Sequence, residues 1–192
     1  MEFIYGSIEE VGFYQFYPVI PCIVVSYDGK RLNGMTAAWH TALSFEPPLY
    51  GVSISPKRFT FEIIERAKEF TINFLNFDRV ELYAIFGRIS GREFNKFEKF
   101  GIETLPSKKI KTPILKDAYA AYECELYDQV ETGDHHIFVG KIVGVHIKKG
   151  AFDIRGLPIL ENIDPAFYLG KDHYIKFDRY TIKKVGREDL GV

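Results

Sequence analysis

The chain has 192 residues, of which 46% are hydrophobic and 27% charged, values that fit one globular domain over residues 1–192 and exclude disorder, collagen and coiled coil. Lys and Arg number 25 against 26 Asp and Glu, a net charge of -1, so there is no electrostatic footprint for nucleic acid or an anionic membrane. No apolar run reaches the roughly 18 residues of a membrane span, and the N-terminus lacks the basic-then-apolar order of a signal peptide, so a cytoplasmic protein is expected.

In chain order, Val19 to Tyr27 is a β-branched run that stops at Asp28-Gly29, a hairpin turn signal. The return strand is expected over 31–37, interrupted by Asn33-Gly34. Pro47-Pro48 precedes a strand over Leu49–Ile54. The period then changes: Phe61, Ile64 and Ala67 recur at helical spacing, with Thr60 as the expected N-cap. A strand follows over Phe70–Leu75, then a helix over 80–89 with Leu82, Ile85, Phe86 and Ile89 on one side. A short helix over 95–100 ends at Gly101. Residues 102–116 read as loop, including the basic run Lys108-Lys109-Ile110-Lys111, taken as solvated. Two long strands follow. Tyr122, Cys124, Leu126 and Val130 form an apolar face alternating with Glu123, Glu125, Tyr127 and Gln129, and Gly133-Asp134 lies in the hairpin tip before His135 and His136. The tail is aromatic and punctuated by proline. Strands with turn signals and few short helices predict a mostly-β fold, a closed antiparallel barrel with helices outside, since closure removes exposed strand edges.

The composition carries two further signals. Aromatics reach 16%, and glutamine occurs only at Gln15 and Gln129 while Lys and Glu are plentiful, a bias expected of a thermophile. Cys22 and Cys124 form no paired motif and are expected as reduced core thiols.

Hydrolytic chemistry has no motif here: G-x-S-x-G and H-E-x-x-H are both absent. His135 and His136 are adjacent on a strand and so point to opposite faces, and no metal site is expected. Neither a Rossmann nor a P-loop glycine pattern is present. What stands out instead is Ser55-Pro56-Lys57-Arg58-Phe59-Thr60, where two hydroxyls and an arginine open a helix. Free amides and the positive end of the helix dipole suit a phosphate there, although a capped helix with an exposed arginine reads equally well. Asn33-Gly34-Met35-Thr36-Ala37-Ala38-Trp39-His40 is a strand of small residues that permits close approach by a planar ligand and holds the single Trp. The alternative is a bulged strand with a core tryptophan. Gly133-Asp134-His135 puts an imidazole at a hairpin tip, solvated or functional.

Taken in order over about residues 10 to 180, these segments resemble the flavin reductase-like family of FMN-binding split barrels, nearest its flavoredoxin branch. The ordered set also includes Phe70-x-x-Asn73, Phe86-Gly87-x-x-Ser90-Gly91, Lys96-Phe97 and an aromatic-Leu-Gly at Tyr168-Leu169-Gly170. The resemblance implies a closed antiparallel split β-barrel with a few short peripheral helices, a homodimer, and one FMN per subunit. It places Asn33, Met35, Thr36, Ala37 and Trp39 along the flavin ring, and Ser55, Arg58 and Thr60 at its phosphate. Lys96 would reach the flavin, Tyr168 would stand against it, and His135 would lie near the ring as the catalytic residue. The implied activity is an oxidoreductase in which hydride passes from NADH or NADPH to flavin N5. Electrons then pass to free flavin, ferric iron or a redox partner. The alternative is an FMN-binding electron-transfer protein reduced by another protein.

Overall fold

The computed structural model describes residues 3–178. Its strands are β1 (Cys22–Tyr27), β2 (Leu32–Ala37), β3 (His40–Ser44), β4 (Leu49–Ile54), β5 (Glu69–Leu75), β6 (Thr104–Leu105), β7 (Ile114–Leu115), β8 (Ala118–Thr132), β9 (His135–Ile147), β10 (Phe167–Gly170) and β11 (His173–Ile175). The helices are α1 (Ile8–Val11), α2 (Phe59–Ala67), α3 (Val80–Arg88) and α4 (Lys96–Lys99). None of these is long and apolar enough to cross a membrane.

Seven strands form one antiparallel sheet in the order β2-β1-β5-β8-β9-β4-β3. β1 is buried on both faces, which accounts for its unbroken β-branched run. Cys22 and Val24 point into the inner core with Val52, Phe70, Ile72 and Phe138, while Ile23 and Val25 pack beneath α3 and α4 with Tyr83, Phe86 and Phe97. Asp28 makes the β1–β2 turn by accepting from the Lys30 and Arg31 backbone N–H groups, at 3.0 and 2.8 Å. The long β8–β9 hairpin joins the two halves, β8 pairing with β5 and β9 with β4, and Gly133 (φ 79°) turns its tip. Helix α2 sends Phe61 and Ile64 into the inner core, where Phe61 meets Phe138 edge-on at 4.9 Å.

The mostly-β antiparallel fold is present, but the sheet is not a closed barrel. β2 and β3 are edges, and each has one hydrogen-bonded neighbour. The edge of β2 is occupied instead by helices: Lys96 Nζ of α4 donates to Gly34 O at 2.6 Å, and Thr36 Oγ1 donates to Tyr83 O of α3 at 2.6 Å. With those groups satisfied, the edge needs no further strand.

Two local expectations are also corrected, and one strand is added. Thr60 is not the N-cap; Arg58 is, and no side chain caps the helix. The Thr60 hydroxyl instead accepts from the Asn33 amide at 2.9 Å, both side chains being buried. Residues 40–44, which carry no β-branched run to signal a strand, form the edge strand β3; the chain bends at Ala38 between β2 and β3, and Trp39 lies outside the buried core. Glu123, on the polar face of β8, is fully buried because the loop before β7 folds over it. Its carboxylate accepts from the backbone N–H of Lys108, Lys109 and Ile110 at 2.7, 2.7 and 3.2 Å, and lies 2.5 Å from His146 Nε2. The basic run is thus a loop docked through its backbone, and its Lys108, Lys109 and Lys111 side chains are exposed, as expected of a solvated run. Cys22 and Cys124 are free thiols in the core, as expected.

Candidate functional site: a ring-sized cleft joined to a basic pocket

The end of β2 and the bend after it form one side of a cleft of about 700 Å³. Met35, Thr36, Ala37, Ala38 and Trp39 line it in sequence, with Ser53 and Ser55 from the end of β4, Arg58 from the start of α2, and His135 from the start of β9. The remaining lining is aromatic in part and comes from both ends of the described chain. Tyr14 lies at 27° to Trp39 with centroids 6.4 Å apart, and Tyr17 is 5.8 Å from Tyr168. The bridge between Val19 and Tyr168 fixes this pairing, with backbone bonds of 3.2 and 2.8 Å.

A second pocket of about 110 Å³ adjoins the cleft and shares Met35, Arg58 and Arg88 with it. Asn33, Lys57, Thr60, Ser90, Arg92 and Lys96 are among its other lining residues. Its cations differ in how they are satisfied. Arg92 pairs with Glu62 and Arg88 with Asp172. The Arg58 guanidinium has no hydrogen-bond or ion-pair partner among the described residues, although it lines both cavities. Lys96 is 2% exposed, and its ammonium donates to Gly34 O, Ile89 O (3.1 Å) and Phe86 O (3.5 Å). Burial, and then the nearby Arg58 charge, pull its pKa down to about 8.

Each residue expected at the site therefore lines one of the two cavities. Met35, Thr36, Ala37, Trp39, Ser55, Arg58, His135 and Tyr168 line the large cleft. Asn33, Thr60 and Lys96 line the small pocket, where their polar groups hold one another and the backbone. His135 Nδ1 lies 2.8 Å from Asp134 Oδ1, and its ring is 5.1 Å from that of Trp39. An ionised carboxylate only accepts, so Nδ1 carries the proton and Nε2 is left for a ligand. The hydrogen bond from His135 holds Asp134 below the usual carboxylate range. His136 points to the other face, against Phe61 and Gln129, and no group of three metal-ligating side chains occurs among the described residues.

Sequence reasoning missed Tyr14, Tyr17, Ser53, Arg88 and Lys171 as lining residues. The aromatic run Phe13–Tyr17 is a signal that could have found the tyrosines. Arg88 has no local signal, because its position depends on where α3 ends against the sheet.

This arrangement suits a planar molecule with an anionic arm: small residues and aromatic rings for the plane, and an unpaired guanidinium for the charge. The family model for a flavin reductase like domain matches residues 14–168. An uncharacterised protein of Pyrococcus abyssi is 39% identical over 142 residues, covering 74% of this chain and 81% of its own. The crystal structure of an FMN-binding protein from Thermus thermophilus, solved with bound 1-cyclohex-2-enone, superimposes with a TM-score of 0.81 at 36% identity, over 96% of this chain and 99% of that one. Flavoredoxin of Desulfovibrio vulgaris (Miyazaki F) has a TM-score of 0.78 at 27% identity, over 87% and 91% of the two chains. The chain belongs to the flavin reductase-like family.

Proposed function

We propose that the protein is an FMN-dependent oxidoreductase taking hydride from NADH or NADPH. The observation that carries this reading is Arg58, a guanidinium without a partner where a ring-sized cleft meets a basic pocket. The residues fit the cofactor: Arg58 and the Ser55 hydroxyl would hold the phosphate, and the Met35–Trp39 segment would lie along the ring. When bound, the flavin supplies the hydride-accepting centre, so the protein itself needs no acid–base pair. The chain's own work is positioning. The bend between β2 and β3 is tied down by Ser53 N donating to Trp39 O at 2.9 Å. Tyr14 and Tyr17 line the cleft and would shield a bound ring from water. His135 is the catalytic candidate, its Nε2 free to bond the ring or the incoming nicotinamide.

The likeness to the Thermus protein supports FMN and a small planar carbonyl compound as one acceptor to assay, beside free flavin, ferric iron and a redox protein. The likeness to flavoredoxin supports a second reading, an electron carrier reduced by another protein. Exposed Val145 and Ile147 on β9, and Phe45 beyond β3, support assembly as a homodimer. Anaerobic stopped-flow mixing of the FMN-loaded protein with NADH and NADPH tests the enzyme reading. Bleaching of the flavin within seconds by either donor is expected. Indifference to both would leave the carrier.

A further inference from the structure

The tip of the β10–β11 hairpin is strained. Lys171 and Asp172 both lie in the left-handed region, at φ 49° and 62°, which aspartate tolerates and lysine rarely adopts. A two-residue hairpin loop with positive φ at both positions favours Asn-Gly. Non-glycine residues held in this region concentrate at ligand sites and switches. Here the turn sets the Asp172 carboxylate squarely on Arg88: Nε donates to Oδ1 at 2.9 Å and Nη2 to Oδ2 at 2.7 Å. Both side chains are exposed, 63% and 46%, and an ion pair in water stabilises a fold very little. Stability therefore does not explain why this turn takes Lys-Asp.

The position does explain it. Arg88 is the last residue of α3 and lines the cleft, and Lys171 and His173 line it beside Arg88. Asp172 occupies the two parallel donor positions that a phosphate or carboxylate would take. The Tyr168 ring lines the same cleft as Arg88. We propose that Arg88 anchors the anionic end of a second ligand, the reactant that exchanges electrons at the cleft, and that Asp172 is an internal stand-in which this anion displaces. The proposal rests on the flavin reading above, which assigns the FMN phosphate to Arg58 and leaves Arg88 to the partner reactant. The ligand class is a planar ring compound bearing a phosphate or carboxylate: a nicotinamide nucleotide or an aromatic acid.

The test uses FMN-loaded protein and the variants Arg88→Gln and Asp172→Asn, the latter because asparagine tolerates left-handed backbone. Calorimetric titrations with NAD⁺, NADP⁺, benzoate and neutral benzamide read the second ligand, and a separate titration reads FMN affinity. Arg88→Gln should weaken the anionic probe at least tenfold, with FMN affinity changed less than twofold. Asp172→Asn should tighten the same probe about threefold, because the competitor has lost its charge. A merely structural ion pair would move both variants in the same direction, so opposite signs are the signature. A response to the nucleotides names phosphate as the anion, and a response to benzoate but not benzamide names carboxylate. Shifts of the same sign, or none, would overturn the proposal. Loss of FMN affinity in Arg88→Gln would place Arg88 in the flavin's own site, sinking the proposal while leaving the flavin reading intact. If the wild type takes up no FMN, the flavin reading fails, and the same titrations on the unloaded chain decide Arg88 by the same signs.

Discussion

At the scale of single residues, Arg58 and Lys96 show two uses of positive charge, one exposed at the cleft and one buried beneath it. Arg58 has no protein partner, so removing it should spare the fold and damage the ligand. A hydrogen bond to a charged group contributes about 1.5–3 kcal/mol, so Arg58→Gln should weaken FMN binding roughly 10- to 150-fold. The melting temperature without FMN should stay put, and a fall would show that Arg58 has a structural role. Lys96 is already satisfied by carbonyls, yet its pKa is drawn down to about 8 by burial and by Arg58. A phosphate beside Arg58 offsets that second cause and favours the ammonium. FMN binding should therefore take up protons near pH 8, and affinity should fall as pH rises through that value. Calorimetry in two buffers of different ionisation enthalpy measures the uptake directly; zero uptake at pH 8 contradicts the placement. For His135, substitution by alanine should lower turnover at least tenfold with FMN affinity within a factor of two, read by steady-state kinetics and fluorescence titration.

At the scale of elements, the legible parts of the sequence were those whose pattern and burial agree. β1, β4 and α3 follow from β-branched runs, proline punctuation and a 3.6 period, each matched by the face it buries. β3 was not legible, because an edge strand of His-Thr-Ala-Leu-Ser has no run to detect. Thr60 carried a cap signal, but a buried asparagine took its hydroxyl. Glu123 shows the same limit: alternation gave its face correctly, but not that a loop covers that face. Burial would raise its pKa, yet the backbone N–H groups of the loop and His146 outweigh burial and hold the carboxyl below its usual range. A depressed carboxylate contributes stability above its unfolded pKa, about 4.3, and loses it as pH falls through the folded value. Hydrogen-exchange protection at Lys108–Ile110 should thus hold at pH 7 and be lost as pH falls through the depressed folded value, and Glu123→Gln should lose much of it at pH 7. Retained protection in that variant would show the loop is held otherwise. Gly140 marks another element-level constraint. A Cβ there would stand 2.6 Å from Phe70 Cζ and 2.7 Å from Cys124 Cβ, so Gly140→Ala should cost about 1–3 kcal/mol, seen as a fall in melting temperature.

At the scale of the whole molecule, the expected barrel stops short of closure. Sequence shows the long, strongly patterned strands, but whether the two edges of the sheet meet depends on what else reaches them. Here α3 and α4 reach β2 first, through Thr36 and Lys96. That same contact holds the Gly34–Ala37 stretch beside the cleft, so the open edge and the site share one cause. The candidate residues were legible as ordered motifs, and their placement around two joined cavities follows from that folding of β2. Arg88 was not legible, since its place depends on where α3 ends against the sheet, whereas Tyr168 was read from its motif and Tyr14 and Tyr17 carried the signal of an aromatic run. Assembly is a further whole-molecule expectation: sedimentation should show a dimer, and Val145→Lys with Ile147→Lys should shift it to monomer. A wild-type monomer would contradict that assembly.

The most direct test of the account is FMN binding itself. Purified apoprotein is dialysed to equilibrium against FMN, with Arg58→Gln beside it. The account predicts a yellow protein with one FMN per chain, stabilised against heat by added FMN, and a variant with at least tenfold weaker uptake. A wild-type chain that stays colourless, with a melting temperature indifferent to FMN, would contradict it.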